Sequence, residues 1–356
     1  AFILDREQRT PTARERLLLE RYCGFGGLKC ILNPARELAD AVHWAKSDLE
    51  LFAPTVELHR LIRENSKNES EYKQLMDSLK QSVLTAFYTP SAVTEALTDV
   101  LKEHQIIPEK VLEPSAGIGA FVDSVLDNNP KADIMAFEKD LLTGKILRHL
   151  HPEQKVRIEG FEKIEKPFND YFDLAISNIP FGDVAVFDPS YTAMKGMRAL
   201  VTRRIHNYFF VKALDTVRDG GLVAFITSQG VLNAKNNSAA RFMMLYHADL
   251  VSAIRLPNNL FTENANTEVG SDLIILQKNS QKESLRGDDN LLDTVYNDEN
   301  RIPTNNYFLE HPERIIHTTA KLDTDPFGKP AMIYTHEDGV EGIAEDLRKM
   351  LHEDFK

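Results

Sequence analysis

Asn178-Ile179-Pro180-Phe181 closes an apolar run, Phe172-Asp173-Leu174-Ala175-Ile176-Ser177. An amino group on an aromatic ring such as adenine is a poor nucleophile, because its lone pair is delocalised into the ring. A site that accepts both of its N–H protons draws the nitrogen towards tetrahedral geometry and frees that pair. The side-chain oxygen of Asn178 and the main-chain carbonyl of Ile179 are two such acceptors in succession. Pro180 fixes φ and holds that carbonyl's direction. Phe181 offers a flat face for a base lifted out of a duplex, a contact worth about 1–3 kcal/mol. A strand-ending turn that buries a Phe has the same four residues, so the tetrapeptide speaks only with its neighbours.

Two acidic positions lie upstream. Val111-Leu112-Glu113-Pro114-Ser115-Ala116-Gly117-Ile118-Gly119-Ala120-Phe121 reads as a strand ending in an acid, then a small-residue loop entering a helix. Gly117 and Gly119 let backbone approach a ligand where a Cβ would clash. Glu113 suits a cationic group and would repel a pyrophosphate. The third glycine of the dinucleotide fingerprint is absent, which disfavours a nicotinamide cofactor. Glu138 ends the next apolar run, where a carboxylate can accept both hydroxyls of a ribose. By itself it would read as a surface residue of Glu-Lys-Asp.

These positions need a scaffold of alternating strands and helices. Ser91 to His104 reads as a helix, Lys110 to Pro114 as a strand, Ala120 to Leu126 as a helix and Asp133 to Glu138 as a strand. Leu141 to Leu150 is a helix, Lys155 to Glu159 and Phe172 to Ser177 are strands, and Ile205 to Val217 is a helix. Gly221 to Thr227 is a strand, Ala239 to His247 a helix, and Leu250 to Leu256 and Ser271 to Gln277 are strands. Such alternation predicts a mostly parallel, doubly wound α/β sheet. Ligands then sit beyond the carboxyl ends of the strands, where the motifs fall. Residues 1–84 read as a helical N-terminal region, with helices at Arg14 to Arg21, Ala35 to Trp44, Val56 to Arg63 and Glu71 to Leu84. Between the first two lies Cys23-Gly24-Phe25-Gly26-Gly27-Leu28, a tight loop whose backbone passes close to something the sequence does not name. Residues 85–280 form the central domain, and 281–356 a C-terminal extension of weaker pattern.

The chain carries a net charge of −12 over 356 residues. A wide, self-sufficient grip on nucleic acid usually brings a basic excess, so the balance disfavours one. A local strip survives: Pro189 to Leu214 contains Lys195, Arg198, Arg203, Arg204 and Lys212 with no Asp or Glu. Directly after the tetrapeptide, it is a candidate phosphate contact or a solvated helix face. No apolar run approaches the ~20 residues of a membrane span. Cys23 and Cys30 are too few for a four-cysteine zinc site, and no histidine spacing completes a mixed one. They read as reduced thiols of a cytoplasmic protein, with no metal and no membrane partner expected. The start at Ala1 and the end inside a helix-like run, Gly342 to His352, suggest a piece of a longer polypeptide.

Taken together, the motifs resemble those of the amino-group DNA methyltransferases. Within them they resemble the adenine-N6 enzymes of gamma motif order, as in large phage or conjugative-element methylase-helicase proteins. Phe87-Tyr88-Thr89-Pro90 resembles the first cofactor segment, Glu113 to Phe121 the glycine loop and Glu138 the ribose acid. Asn178 to Phe181 resembles [DNS]-P-P-[YFW]. Asp219 to Ile226, then Ile254-Arg255-Leu256-Pro257 with Phe261, and Asp272 to Leu276 resemble the later segments. The resemblance spans about residues 85 to 278 and implies a Rossmann-like class I methyltransferase with a seven-stranded sheet.

It further implies S-adenosyl-L-methionine as cofactor and adenine in DNA as substrate, in a restriction-modification setting. Cofactor contacts would come from Tyr88, Thr89, Pro90, Glu113, Ser115, Gly117, Gly119, Glu138, Phe161 and Asn178. Catalysis would rest on Asn178, Ile179, Pro180 and Phe181, and DNA contacts on Lys195, Arg198, Arg203 and Arg204. DNA is the expected partner, with a helicase or other domain of a longer polypeptide. The sequence departs from the family in three places. Ile179 replaces a proline and removes one rotational restraint. Ser115-Ala116 replaces a common Ala-Cys. Gly160 stands where an acid before Phe161 would accept the cofactor's adenine amine. Transfer to a protein glutamine or an RNA base uses the same amide logic, and a non-catalytic binding module is a third reading.

Overall fold

Val111 and Leu112 are both fully buried, yet they belong to opposite cores, because successive strand side chains point to opposite faces. That double burial explains the near-continuous apolar runs, as expected of a parallel sheet covered on both sides. The structure, a computed structural model, describes all residues except 86–87, 195, 263–268, 286–288, 297–301 and 326–327. Phe87 and Lys195 therefore lie outside the described residues.

The central sheet contains β1 (Lys110–Glu113), β2 (Asp133–Phe137), β3 (Lys155–Arg157), β4 (Phe172–Asn178), β5 (Val217–Ser228), β6 (Ala248–Leu256) and β7 (Ser271–Lys278). Their order is β3-β2-β1-β4-β5-β7-β6. All neighbours are parallel except β7, which runs antiparallel to both β5 and β6. This is the doubly wound, Rossmann-like sheet of seven strands that the sequence leads one to expect. The order reverses between β1 and β4, which opens a crevice at their carboxyl ends.

One face is covered by α5 (Ser91–Glu103) and α6 (Ala120–Asn128), through Val93, Leu97, Phe121 and Val125. α10 (Ile205–Thr216) and α12 (Ser238–His247) cover the other, through Tyr208, Phe209, Met243 and Met244. The C-terminal helix α14 (Gly339–Asp354) places Ile343, Leu347 and Leu351 in the same core as α5. The segment after residue 280 therefore supplies part of the domain's own packing.

The N-terminal region docks on α7 (Leu141–Leu150). α1 (Phe2–Glu7) and α2 (Ala13–Glu20) set Leu4 and Leu19 against Ile146 and Leu150. The Asp5 carboxylate accepts hydrogen bonds from Lys145 and Arg148 at 2.5 and 3.0 Å. α3 (Phe52–Glu64) and α4 (Glu69–Thr85) bury Ile62, Leu75 and Leu79 with Leu142. The stretch Ala35 to Trp44, expected as a helix, is instead a 3-10 segment, Leu38–His43. No helix among the described residues is long and apolar enough to cross a membrane. Cys23 is exposed and Cys30 partly buried, both as free thiols.

Candidate functional site

The carboxyl ends of β1, β2 and β4 bring three of the sequence motifs together. Beyond β1 the chain turns from Glu113 into α6 through Gly117 and Gly119, with φ of 56° and 99°. Only glycine adopts those values readily. Space enforces the choice as well. A Cβ on Gly117 would lie 2.7 Å from the Tyr88 ring, and one on Gly119 would lie 2.6 Å from His151.

Two carboxylates hold this loop. Glu113 accepts from the Ser115 amide at 3.0 Å. Glu138 accepts from the Gly117 amide at 2.8 Å and the Asp140 amide at 2.7 Å. Glu138 is thus no loose surface residue: it ties the end of β2 to the glycine loop of β1. Burial pushes Glu113 up to about 8, opposed by hydrogen bonds from Ser177 and the Ser115 amide. Burial also pushes Glu138 up to about 8, with the neighbouring Asp140 charge adding to it.

Tyr88 lies on the glycine loop and shares a 3.4 Å hydrogen bond with Thr143. Thr89 is buried, and its hydroxyl has no partner among the described residues. Pro90 is the N-cap residue of α5. The N-terminal glycine loop now has a destination. A Cβ on Gly24 would sit 2.8 Å from the Tyr88 hydroxyl, Gly27 donates to the Val83 carbonyl at 2.9 Å, and Tyr22 reaches Thr143 at 3.1 Å. Sequence reasoning missed Tyr22 and Thr143 as neighbours of this cleft. Their one local signal was the glycine-rich loop beside Tyr22.

β4 delivers the tetrapeptide. Leu112 pairs with Ala175, so the ends of β1 and β4 lie side by side. Asn178 pairs with Ile226 of β5, and the Ile179 amide donates to the Ile226 carbonyl at 3.0 Å. The Ile179 side chain is buried in the same core as Leu112, Phe161 and Phe209. Packing thus supplies a restraint where the family has a second proline ring. Beyond Pro180, Phe181 meets Phe261 edge to face at 6.2 Å. Asp183, just after, pairs with Arg204 at 2.9 Å.

Other predicted residues stand elsewhere. Phe161 is buried against Phe137 and Phe209, at 5.8 and 5.3 Å, so its ring is floor beneath the cleft and presents no open face. Arg198 forms a two-pronged pair with Asp215 at 2.6 and 2.9 Å. Arg204 binds Asn237 at 2.6 Å as well as Asp183. Lys212 is buried on Asp188 at 3.1 Å. Arg203 is exposed. No three His, Cys, Asp or Glu side chains gather as a metal site among the described residues. A cavity of about 800 Å³ opens at the opposite, amino-terminal ends of the strands, beside Pro108, Asp173 and Arg218.

The family model described as N-6 DNA Methylase matches residues 70–333. The chain is 29% identical over 201 residues to Defense against restriction protein B of Escherichia phage P1, covering 55% of this chain and 8% of that protein. It is 25% identical over 173 residues to the type II methyltransferase M.XamI of Xanthomonas campestris pv. amaranthicola, covering 45% and 33%. The chain therefore spans a third or less of these relatives. Among solved structures it resembles the methyltransferase subunit of a type I restriction-modification system from Streptococcus thermophilus. That match has 18% identity and a TM-score of 0.46 and covers 59% and 49% of the two chains. A modification subunit of a putative type I restriction enzyme from Vibrio vulnificus matches at 15% identity and a TM-score of 0.47, covering 82% and 67%. The family match takes in the glycine loop, both carboxylates and the tetrapeptide, and the chain belongs to the N-6 DNA methylase family.

Proposed function

We propose that this chain transfers the methyl group of S-adenosylmethionine directly to the N6 amino group of an adenine lifted out of DNA. The observation that supports this reading best is the placement of Asn178 and the Ile179 backbone at the end of β4, beside the Glu113 and Glu138 loop. The cleft fits the cofactor. Glu113 matches a cationic amino group, Glu138 a pair of ribose hydroxyls, and the unpartnered Thr89 hydroxyl a carboxylate. Tyr88, Pro90, Ser115, Gly117 and Gly119 complete its wall. When bound, the cofactor supplies a methyl group on a sulfonium, which leaves as a neutral thioether.

The protein's part is positional. The Asn178 side-chain oxygen and the Ile179 carbonyl accept the two amine N–H groups, draw those bonds out of the ring plane and so localise the lone pair on nitrogen. Phe181 and Phe261 flank the base. The nitrogen forms the new bond to carbon and then loses one proton. No covalent enzyme intermediate is needed. Among the described residues of the basic strip, the exposed Arg203 is the best placed to meet phosphate. Arg198 and Arg204 are held in internal pairs and shape the surface around it. With a net charge of −12, further DNA grip comes from other parts of a longer protein or from a partner.

The test is tritium transfer from labelled S-adenosylmethionine to DNA by the full-length protein. Label is expected in N6-methyladenine after hydrolysis. Protein that binds cofactor yet labels no DNA across varied sequences would sink the proposal.

The raised carboxylates carry a pH prediction. Near neutral pH the unliganded chain holds protons on Glu113 and Glu138, and a ligand that needs the ionised forms must expel them. Affinity for S-adenosylhomocysteine should therefore rise between about pH 6.5 and about pH 8.5 and then level off, with proton release visible calorimetrically in buffers of different ionisation heat. The same shift lowers the stability of the unliganded fold as pH rises from about 4.5 to about 8, because over that range the unfolded chain has lost protons that the folded chain still holds. Flat affinity without proton release would contradict the raised carboxylates.

A further inference from the structure

The Tyr88 ring is held between two glycines that are distant in sequence. A Cβ on Gly24 would lie 2.9 Å from its Cε2 atom, and a Cβ on Gly117 would lie 2.7 Å from its Cε1 atom. Those two atoms are on opposite sides of the ring. Gly117 belongs to the loop beyond β1, whereas Gly24 belongs to the N-terminal region. Both have positive φ, 56° and 73°, so backbone conformation and space select glycine together. Residues 22–27 thus lie across Tyr88 as a strap.

Both ends of the strap are fastened. The Tyr22 amide donates to the Leu19 carbonyl at 3.0 Å, and Leu19 is buried against α7. The Gly27 amide donates to the Val83 carbonyl at 2.9 Å, in α4 just before Tyr88. The rings of Tyr22 and Phe25 meet edge to face at 5.7 Å across the turn. The hydroxyls of Tyr22 and Tyr88 converge on the Thr143 hydroxyl, at 3.1 and 3.4 Å. The Thr143 amide donates to the Asp140 carboxylate at 2.7 Å, and the Asp140 amide donates to Glu138 at 2.7 Å. Glu138 in turn accepts from the Gly117 amide at 2.8 Å. These contacts form a closed circuit from the strap, through the acid that follows β2, to Gly117 and back through Tyr88. With the N-terminal region undocked, Tyr88 would keep one glycine wall, lose the other and regain rotamer freedom.

We propose that residues 22–27 set the cofactor cleft, so that docking of the N-terminal region and cofactor affinity rise and fall together. Tyr22 is a positioning residue in this strap and acts through Thr143 and Tyr88. The proposal rests on the cofactor reading above. Such coupling is reciprocal: the factor by which a closed strap raises affinity is the factor by which bound cofactor favours closure.

The test pairs hydrogen exchange with calorimetric binding of S-adenosylhomocysteine to the full-length protein. Saturating ligand should slow exchange of the amides of residues 22–28, and of Gly27 above all, since its bond to Val83 is the strap's own fastening. Gly24→Val puts a branched side chain where the Tyr88 ring stands. It should cut the population of the closed strap, and affinity with it, by about tenfold or more. Tyr22→Phe keeps the ring contact with Phe25 and removes only the bond to Thr143. It should weaken binding by about threefold to tenfold, the range of a neutral hydrogen bond. Trp44, the chain's only tryptophan, is buried against Phe52 at 5.3 Å in the same region, so its native emission shows that a variant stays folded. Where Gly24→Val unfolds the region, Tyr22→Phe decides. Wild type that binds ligand without slowing exchange at the strap overturns the coupling. So do variants that exchange faster at the strap with unchanged affinity, the result of a purely structural role. Wild type that binds no ligand at all overturns the cofactor reading itself, and this proposal with it.

Discussion

Asn178→Ala is expected to cut methyl transfer by at least about a hundredfold to a thousandfold, the usual loss when one preorganised polar group is taken from a reacting centre. The geometry concentrates the effect on chemistry. Asn178 is the last residue of β4 and is held in register with Ile226, so truncation leaves the strand intact. What disappears is one of the two proposed amine acceptors. The Ile179 carbonyl remains, because the Ile179 amide bond to β5 and the buried Ile179 side chain both persist. One acceptor still binds an amine, yet it cannot draw both N–H bonds out of the ring plane. Single-turnover label transfer at saturating DNA measures the loss. Affinity for S-adenosylhomocysteine should change by less than about tenfold, since the proposed cofactor contacts rest mainly on Glu113 and Glu138. Turnover within tenfold of wild type would remove Asn178 from the chemistry.

The largest stability effect should come from the far side of the sheet. Arg255 and Asp272 are 2% and 0% exposed and form a two-pronged pair at 2.9 and 3.1 Å between β6 and β7. Arg255 also donates to Asn233 at 3.0 Å and lies 4.1 Å from the Phe308 ring centre. Asp272→Ala would leave a buried guanidinium without its counter-charge, at a cost of about 3–5 kcal/mol. Denaturant unfolding should show a lower midpoint with an unchanged slope. Replacing both partners with apolar residues of similar volume should recover most of the loss. An Asp272→Ala midpoint equal to wild type would mean that water reaches the pair.

All seven central strands and the helices between them stand where the sequence placed them, with shifts mainly at their ends. Their apolar runs are buried on both faces, and burial is what such runs report. The failures have equally local causes. Ala35 to Trp44 has helical apolar spacing, but Leu38 and Val42 are 84% and 81% exposed, so the pattern marked no buried face. The hairpin of β10 (Thr319–Thr324) and β11 (Pro330–Thr335) was not foreseen, since every residue of β10 is exposed and no alternation betrays it. The basic strip shows how folding changes what a run of charges presents. Pro189 to Leu214 holds no acid, yet Asp188 and Asp215 flank it by one residue on each side, and folding turns Lys212 and Arg198 back onto them. The contact of the Gly24 loop with Tyr88 spans most of the N-terminal region, beyond the reach of any local pattern.

The reversed strand has a consequence for how such proteins can diversify. Because β7 runs against β5 and β6, the end of β6 at Leu256 and the start of β7 at Ser271 meet at the same edge as the tetrapeptide. The connection between them can lengthen without disturbing a single rung of the sheet. Each doubling of such a loop costs only about 0.6 kcal/mol in closure entropy. New surface can therefore be grafted beside an unchanged end of β4, so that this rim and the proposed site can vary independently.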